Sequence, residues 1–274
     1  MTEFSREAIR QSGYLRAGFA EHYDAFRPKP PAVLLLALAR YAGGPPLRRI
    51  VDLGSGTGLS TRPWAGIADE VVGVEPNPEM RKVAERRTGE DNVRYVEAFA
   101  SNTGIDGDSA ELVTCSQSFH WMDRESTLAE AARVLRPGGV FAAYDYDFPA
   151  LVHPEVDAAF LAHLALRRRH REEQDVAAGW TRTPKAGHLD AIRESGLFGF
   201  AREFVLHDEL EAGADELIGF ARSLGLVPEL LALGVSPEQL GLTALEETTR
   251  RVLGERRVPI VIGYRVRLGV KPKP

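Results

Sequence analysis

Short apolar runs alternate with segments whose apolar positions fall three and four residues apart from residue 49 to 145. That rhythm predicts strands over 49–53, 71–75, 93–97, 111–116 and 140–145, with helices over 60–67, 78–87 and 124–135. Runs such as Val71-Val72 and Leu112-Val113 are apolar on both sides of the pleat. Strands of this kind belong to a parallel sheet covered by helices on both faces. The expected fold is therefore α/β, with a doubly wound, mostly parallel sheet.

The flanks read differently. Pro30 and Pro31 suit a helix start and Gly43-Gly44-Pro45 its end, which makes residues 1–44 an N-terminal helical cap. After Asp145 the alternation stops. Residues 154–175 place Val156, Ala159, Phe160 and Leu164 on neighbouring helical turns, so 148–187 is expected to be a helical lid inserted after the 45–147 core. Residues 188–274 complete the α/β core with further cap helices: a helix over 188–195 closed by Gly196, a strand over 202–207, and two more helices. In the last segment Ile260, Ile262, Tyr264, Val266 and Leu268 alternate with Val261, Gly263, Arg265 and Arg267, the period of an antiparallel closing strand.

Composition narrows the partners. At 44% hydrophobic the 274 residues can fill a large core. With 34 Lys and Arg against 39 Asp and Glu, the net charge of -5 argues against nucleic acid as a partner. The basic run Arg167-Arg168-Arg169-His170-Arg171 is followed at helical spacing by Glu172, Glu173 and Asp175, and reads as a solvated helix face. The longest apolar run, 32–39, falls far short of the ~20 residues a membrane span needs, and the polar N-terminus does not suit a signal peptide. No membrane association and a cytoplasmic location are expected. Cys115 is the lone cysteine and reads as a packed thiol, and no Cys/His spacing suggests a metal.

Chemistry concentrates where the first strand ends. In Val51-Asp52-Leu53-Gly54-Ser55-Gly56-Thr57-Gly58 an apolar strand runs into three alternate glycines. Without Cβ atoms these residues can take unusual φ/ψ and bring backbone amides against a ligand, while Asp52 or a nearby carbonyl can receive a ligand ammonium. The alternative is an ordinary glycine turn. The G-x-G-x-G spacing differs from the dinucleotide fingerprint G-x-G-x-x-G, because position 59 is Leu. The second strand ends Val71-Val72-Gly73-Val74-Glu75, a carboxylate about 20 residues beyond the loop, where two oxygens can accept both hydroxyls of a ribose. One local conflict is Pro63, which lies inside the expected 60–67 helix and would kink it or delay its start.

Over residues 50–145 the chain resembles the class I S-adenosylmethionine-dependent methyltransferases, which share a Rossmann-like fold. The likeness is to the small-molecule branch that includes ubiquinone-pathway and trans-aconitate methyltransferases. By that resemblance Gly54, Gly56 and Gly58 face the methionine part of S-adenosylmethionine and Glu75 holds its ribose. Asn77, in Glu75-Pro76-Asn77-Pro78-Glu79-Met80, packs beside the adenosine and Met80 touches the base. Phe99, Ala100 and Ser101 stand where the family carries its G-x-A-E adenine-side loop; the common Glu is replaced by Ser101 and a frequent acid by Phe99, so backbone and hydroxyl contacts are expected. Ser116-Gln117-Ser118-Phe119-His120-Trp121 resembles the S-Q-x-x-H-W signature of the trans-aconitate-like branch. It brings Ser116 and Gln117 toward the sulfonium and makes His120 and Trp121 an adjoining wall. Tyr23 and Arg27 resemble contacts to the cofactor's carboxylate end, from an N-terminal segment folded over the site. The 133–139 stretch looks like the family's L-x-P-G-G turn, a structural feature.

Together these imply transfer of a methyl group from S-adenosylmethionine to a small molecule at an oxygen, carbon or nitrogen, a carboxylate or specialised metabolite included, leaving S-adenosylhomocysteine. No metal is required, and a homodimer is compatible with the sequence. His120 is the first candidate general base, with Asp145 and Asp147 behind it; a histidine that only orders its loop fits equally well. The rival readings are a module that binds the cofactor without transferring, and a nicotinamide oxidoreductase.

Overall fold

The computed structural model describes residues 14–174 and 183–274. In chain order the elements are α1 (Phe19–Phe26), α2 (Ala32–Tyr41), β1 (Leu47–Leu53), β2 (Ala68–Val74), α3 (Pro78–Arg87), β3 (Val93–Val96), β4 (Ala110–Ser116), α4 (Arg124–Val134) and β5 (Leu135–Tyr146). There follow α5 (Pro154–Glu173), α6 (His188–Glu194), β6 (Phe200–Ala212), α7 (Ala214–Arg222), α8 (Val227–Ala232), α9 (Leu242–Leu253) and β7 (Val258–Val270).

Seven strands form a single sheet in the order β3-β2-β1-β4-β5-β7-β6. β1 to β5 pair in parallel, while β7 runs antiparallel to both β5 and β6. The order reverses beside β1, so the chain leaves the C-terminal ends of β1 and β4 toward opposite faces and opens a crevice between them. Period-two alternation divides the strands between two cores. Ile50, Leu112 and Ala142 turn to the face covered by α2 and the cap helices α5, α7, α8 and α9; Val51, Val113 and Ala143 turn to the face covered by α4 and α6. At about 25 cal/mol per Å² of apolar surface, these two cores dominate the favourable side of folding.

Expected and observed elements agree most closely where periodicity is long. The 78–87 helix is found over those residues, with Asn77 at its N-cap and Pro78 in the first turn. The 60–67 helix is a correction: only a 3-10 turn, Arg62–Trp64, forms there. Pro63 has no N–H to donate, and the surrounding bonds, Trp64 to Thr61 and Ala65 to Arg62, span three residues, not four. The 202–207 strand is longer at both ends, and three helices, not two, precede the last strand. That last strand pairs antiparallel as its alternation predicts. The helix expected over 154–175 ends at Glu173, with Val156, Phe160 and His163 buried, and Asp175 lies outside the described residues. Its basic run is partly paired, Arg169 and His170 both reaching Glu173, while Arg167 donates to Gly225 O at 3.0 Å. Cys115 is buried, as a packed thiol should be, and burial pushes its pKa well up. Among the described residues no helix is long and apolar enough to cross a membrane.

Candidate functional site

The site forms at the C-terminal ends of β1, β2 and β4. Leaving β1, Gly54 and Gly56 take left-handed backbone, φ 68° and 56°, and both line a cleft of about 1010 Å³ counted to its open mouth. Gly54 N donates to Val74 O at 2.8 Å, which ties the loop to the end of β2. Gly56 N donates to Glu75 Oε2 at 2.8 Å, and Glu75 Oε1 accepts from Asn77 N at 2.8 Å. A single carboxylate thus clamps the glycine loop to the start of α3. Each of its oxygens keeps a second lone pair for a ligand hydroxyl. Burial pushes the Glu75 carboxyl up to about 7, against the two backbone N–H groups that favour its charged form.

Asn77, Met80, Phe99, Ala100 and Ser101 line the same cleft, with Asn77 also capping α3 by accepting from Glu79 N and Met80 N. The opposite wall comes from β4. Ser116 and Gln117 line it, Gln117 with the left-handed φ of 52°, and Ser118 Oγ donates to Leu53 O at 2.7 Å, binding this loop to β1. Above, Tyr23 of α1 closes the cleft beside Tyr14, whose ring meets those of Tyr23 and Trp121 edge-on at 6.3 and 6.2 Å.

A second, smaller cavity adjoins the first and shares Tyr23, Gly54, Gly56, Ser116 and Gln117 with it. Arg27 borders this space. Its guanidinium is buried, donates to Tyr146 Oη at 2.6 Å and Ser223 O at 2.9 Å, and stacks on Tyr23 at 4.7 Å. Among the described residues Arg27 has no carboxylate partner, and its Nε, Ser55 Oγ and Thr57 Oγ1 are buried without hydrogen-bond partners. A buried cation and two hydroxyls left unsatisfied at one cavity suit an anionic, polar ligand end.

Three expected contacts sit elsewhere. Asp52 is fully buried and accepts from Ser60 Oγ, Thr61 Oγ1 and Thr114 Oγ1 at 2.7, 2.7 and 2.8 Å, so its oxygens are spent within the fold and it does not line the cleft. Burial raises its pKa while the three hydroxyls pull it down. Gly58, φ 80°, packs against Tyr95 and Arg62, outside the cleft lining. His120 lies behind the wall in the 3-10 turn Phe119–Trp121, 5% exposed, with Nδ1 3.8 Å from Asp145 Oδ1. It is not among the residues that line either cavity, so a base in direct contact with an acceptor does not fit its position. Asp145 is likewise buried, held by Arg267 and Lys185.

The cleft also uses residues that sequence reasoning did not assign to it: Pro76, Ser118, Met122, Asp123, Ser126 and Thr127. A signal existed for part of this set, since Asp123-x-x-Ser126 is a helix-start pattern and Asp123 caps α4 through Ser126 N at 3.0 Å. Tyr146, which borders the smaller cavity, carried no comparable signal.

Residues 51–143, from β1 into β5, match the family model described as a methyltransferase domain. The chain is 28% identical over 148 residues to the yeast protein CRG1 of Saccharomyces cerevisiae, assigned as an S-adenosylmethionine-dependent methyltransferase, covering 52% of this chain and 50% of that one. It is 36% identical over 118 residues to an uncharacterized methyltransferase of Mycobacterium tuberculosis, covering 43% and 46%. A solved structure from Anaeromyxobacter dehalogenans, assigned as a type II methyltransferase, superimposes with a TM-score of 0.69 at 26% identity over 91% of this chain and 100% of that one. The chain spans about half the length of the curated relatives it matches.

Proposed function

We propose, from the premise that residues 51–143 are a class I methyltransferase domain, that this chain binds S-adenosylmethionine in the cleft and transfers its methyl group to a small-molecule acceptor. The observation that carries the reading is Glu75, a buried carboxylate anchored by Gly56 N and Asn77 N with a lone pair left on each oxygen. Those lone pairs suit the two hydroxyls of a ribose. Phe99, Ala100, Ser101 and Met80 then offer a flat, largely apolar slot for the adenine. Arg27, Ser55 and Thr57 offer a cation and two hydroxyls for the amino-acid tail.

When bound, the sulfonium supplies an electrophilic methyl, so the reaction is an in-line displacement that needs orientation and dryness from the protein. The Tyr14, Tyr23 and Trp121 rings roof the cleft and exclude water, and Gly54 lets the backbone come close where a Cβ would strike Ser118. An enclosed roof of this kind suits a small acceptor better than a polymer. An acceptor carboxylate would need no base, and His120 serves on this reading by holding the turn that presents Trp121.

A nicotinamide cofactor suits the site less well. The glycine loop runs into a 3-10 turn, and no helix begins there whose N-terminal amides could hold a pyrophosphate. Fluorescence of Trp121, which lines the cleft, tests the assignment. Titration with S-adenosylhomocysteine should quench it saturably and NADH should not. Quenching by NADH alone would overturn the proposal.

A further inference from the structure

Gln117 lies between the two cavities and lines both. Its backbone is left-handed, an unfavourable state for a residue with a Cβ, and is held by its N–H donating to Tyr144 O at 2.9 Å. Both ends of its side chain are engaged as well. Lys185 Nζ donates to Oε1 at 2.7 Å, and Nε2 donates to Tyr146 O at 3.3 Å.

An ammonium can only donate, whereas a primary amide has one accepting and one donating end. Lys185, with the shorter bond, and Tyr146 O, which can only accept, together set which way round the Gln117 amide sits: the oxygen turns to the lysine and the NH2 to the side of Tyr146, which borders the smaller cavity. One N–H meets Tyr146 O. The other is left for the smaller cavity, which Arg27 also lines.

Lys185 is itself firmly placed. Nζ lies 2.8 Å from Asp145 Oδ1, and the other oxygen of Asp145 is held by Arg267 at 3.1 Å. The backbone around it is docked onto the wall of the site, Thr183 N donating to His120 O at 3.1 Å and Arg124 Nη2 to Pro184 O at 2.5 Å. Thr183, Pro184 and Lys185 themselves lie outside the 51–143 stretch that matches the methyltransferase model.

We propose that Lys185 is a positioning residue that fixes the polarity of the Gln117 amide, so that Gln117 offers an N–H to the carboxylate of the cofactor's amino-acid tail. The inference rests on the cofactor assignment above. It makes residues 183–187 part of the site, through one lysine.

Calorimetry on the full chain, with S-adenosylhomocysteine and with 5′-methylthioadenosine, which lacks the amino-acid tail, separates this role from general support of the fold. Lys185→Met should weaken S-adenosylhomocysteine roughly tenfold, the scale of one charge-assisted hydrogen bond, while methylthioadenosine stays within about twofold. Lys185→Arg, which restores a cationic donor, should recover most of the loss. Equal effects on the two nucleosides, no effect on either, or an Arg variant no better than Met would overturn the positioning role. A ligand-free readout keeps the two proposals apart. The Gln117 side-chain amide resonance, identified by its loss in Gln117→Leu, should exchange with solvent faster in Lys185→Met than in wild type. Unchanged exchange overturns the inference by itself, whereas wild-type protein that binds neither nucleoside overturns the cofactor assignment.

Discussion

Two buried carboxylates stand within one loop of each other, and their surroundings give them opposite duties. Glu75 spends two lone pairs on backbone N–H groups and keeps two; Asp52 is enclosed by three hydroxyl donors and lines neither of the two cavities. Glu75→Ala should therefore weaken S-adenosylhomocysteine by about 1–3 kcal/mol in calorimetry, the usual scale for hydrogen bonds to a charged group. Unchanged affinity would remove Glu75 from the site. Asp52→Ala should do the reverse. It leaves Ser60, Thr61 and Thr114 without their buried acceptor, which costs about 1–3 kcal/mol for each group left unsatisfied, partly relieved by rotation of the hydroxyls. A clear fall in melting temperature with cofactor affinity retained below it is the expected pattern. A wild-type melting temperature would show that the hydroxyl cluster does not hold β1 to β4 as described.

At the scale of elements the β1 loop makes the same distinction with glycines. Gly56 and Gly58 both have positive φ, but a Cβ on Gly56 would meet open space in the cleft, whereas one on Gly58 would collide with the Tyr95 hydroxyl. Tyr95 has no room to retreat, because its ring also lies against Gly73. Gly56→Ala should cost about 1 kcal/mol of backbone strain and project a methyl into the ligand space, so affinity should fall more than stability. Gly58→Ala adds overpacking of about 1–3 kcal/mol to the same strain, so stability should fall more than affinity. Thermal denaturation beside calorimetry checks the pair, and two variants with the same profile would contradict it. Part of this difference is written in the sequence and part only in the fold. The strand-glycine-strand-acid pattern located the cleft, since period-two burial and missing Cβ atoms are properties of the sequence itself. It could not separate Gly56 from Gly58, or expose Asp52 as internal, because those depend on Tyr95 and Thr114 arriving from other strands. His120 was legible as part of a motif, but which side of the wall it occupies depends on Asp145 in β5 and the docking of residues 183–187. Lys185 sits in no recognisable pattern; only the folded chain brings it to Gln117.

Over the whole molecule, proton binding couples the cleft to the remainder of the fold. His188 is fully buried and its pKa is pushed down to about 3 from an ordinary 6.5, by burial first and by Arg124, Arg267 and Lys185 after it. The folded chain refuses a proton that the unfolded chain takes up, so His188 contributes stability that is lost as pH falls from about 6.5 toward 3. Burial lowers His163 and His22 in the same direction. Glu75 works the other way. Its folded pKa of about 7 lies above the ordinary 4.5, so the ligand-free fold gains a proton early and is favoured as pH falls through that window. From about pH 7 to pH 5 the loss at His188 and the gain at Glu75 run in opposite senses and partly cancel in the free chain. A bound ribose removes the cancellation, because its hydroxyls need the ionised carboxylate as acceptor. The melting-temperature rise given by saturating S-adenosylhomocysteine should accordingly shrink as pH falls below about 7, while the free protein changes less than its buried histidines alone would require. Thermal shift measured across this range, with and without the nucleoside, checks it. Glu75→Ala is the control: the residual ligand-induced rise should lose the pH dependence that titrates near 7, since protonation of the nucleoside's own amino group is common to both proteins. An identical profile in variant and wild type would place the linked proton somewhere other than the second strand's tip.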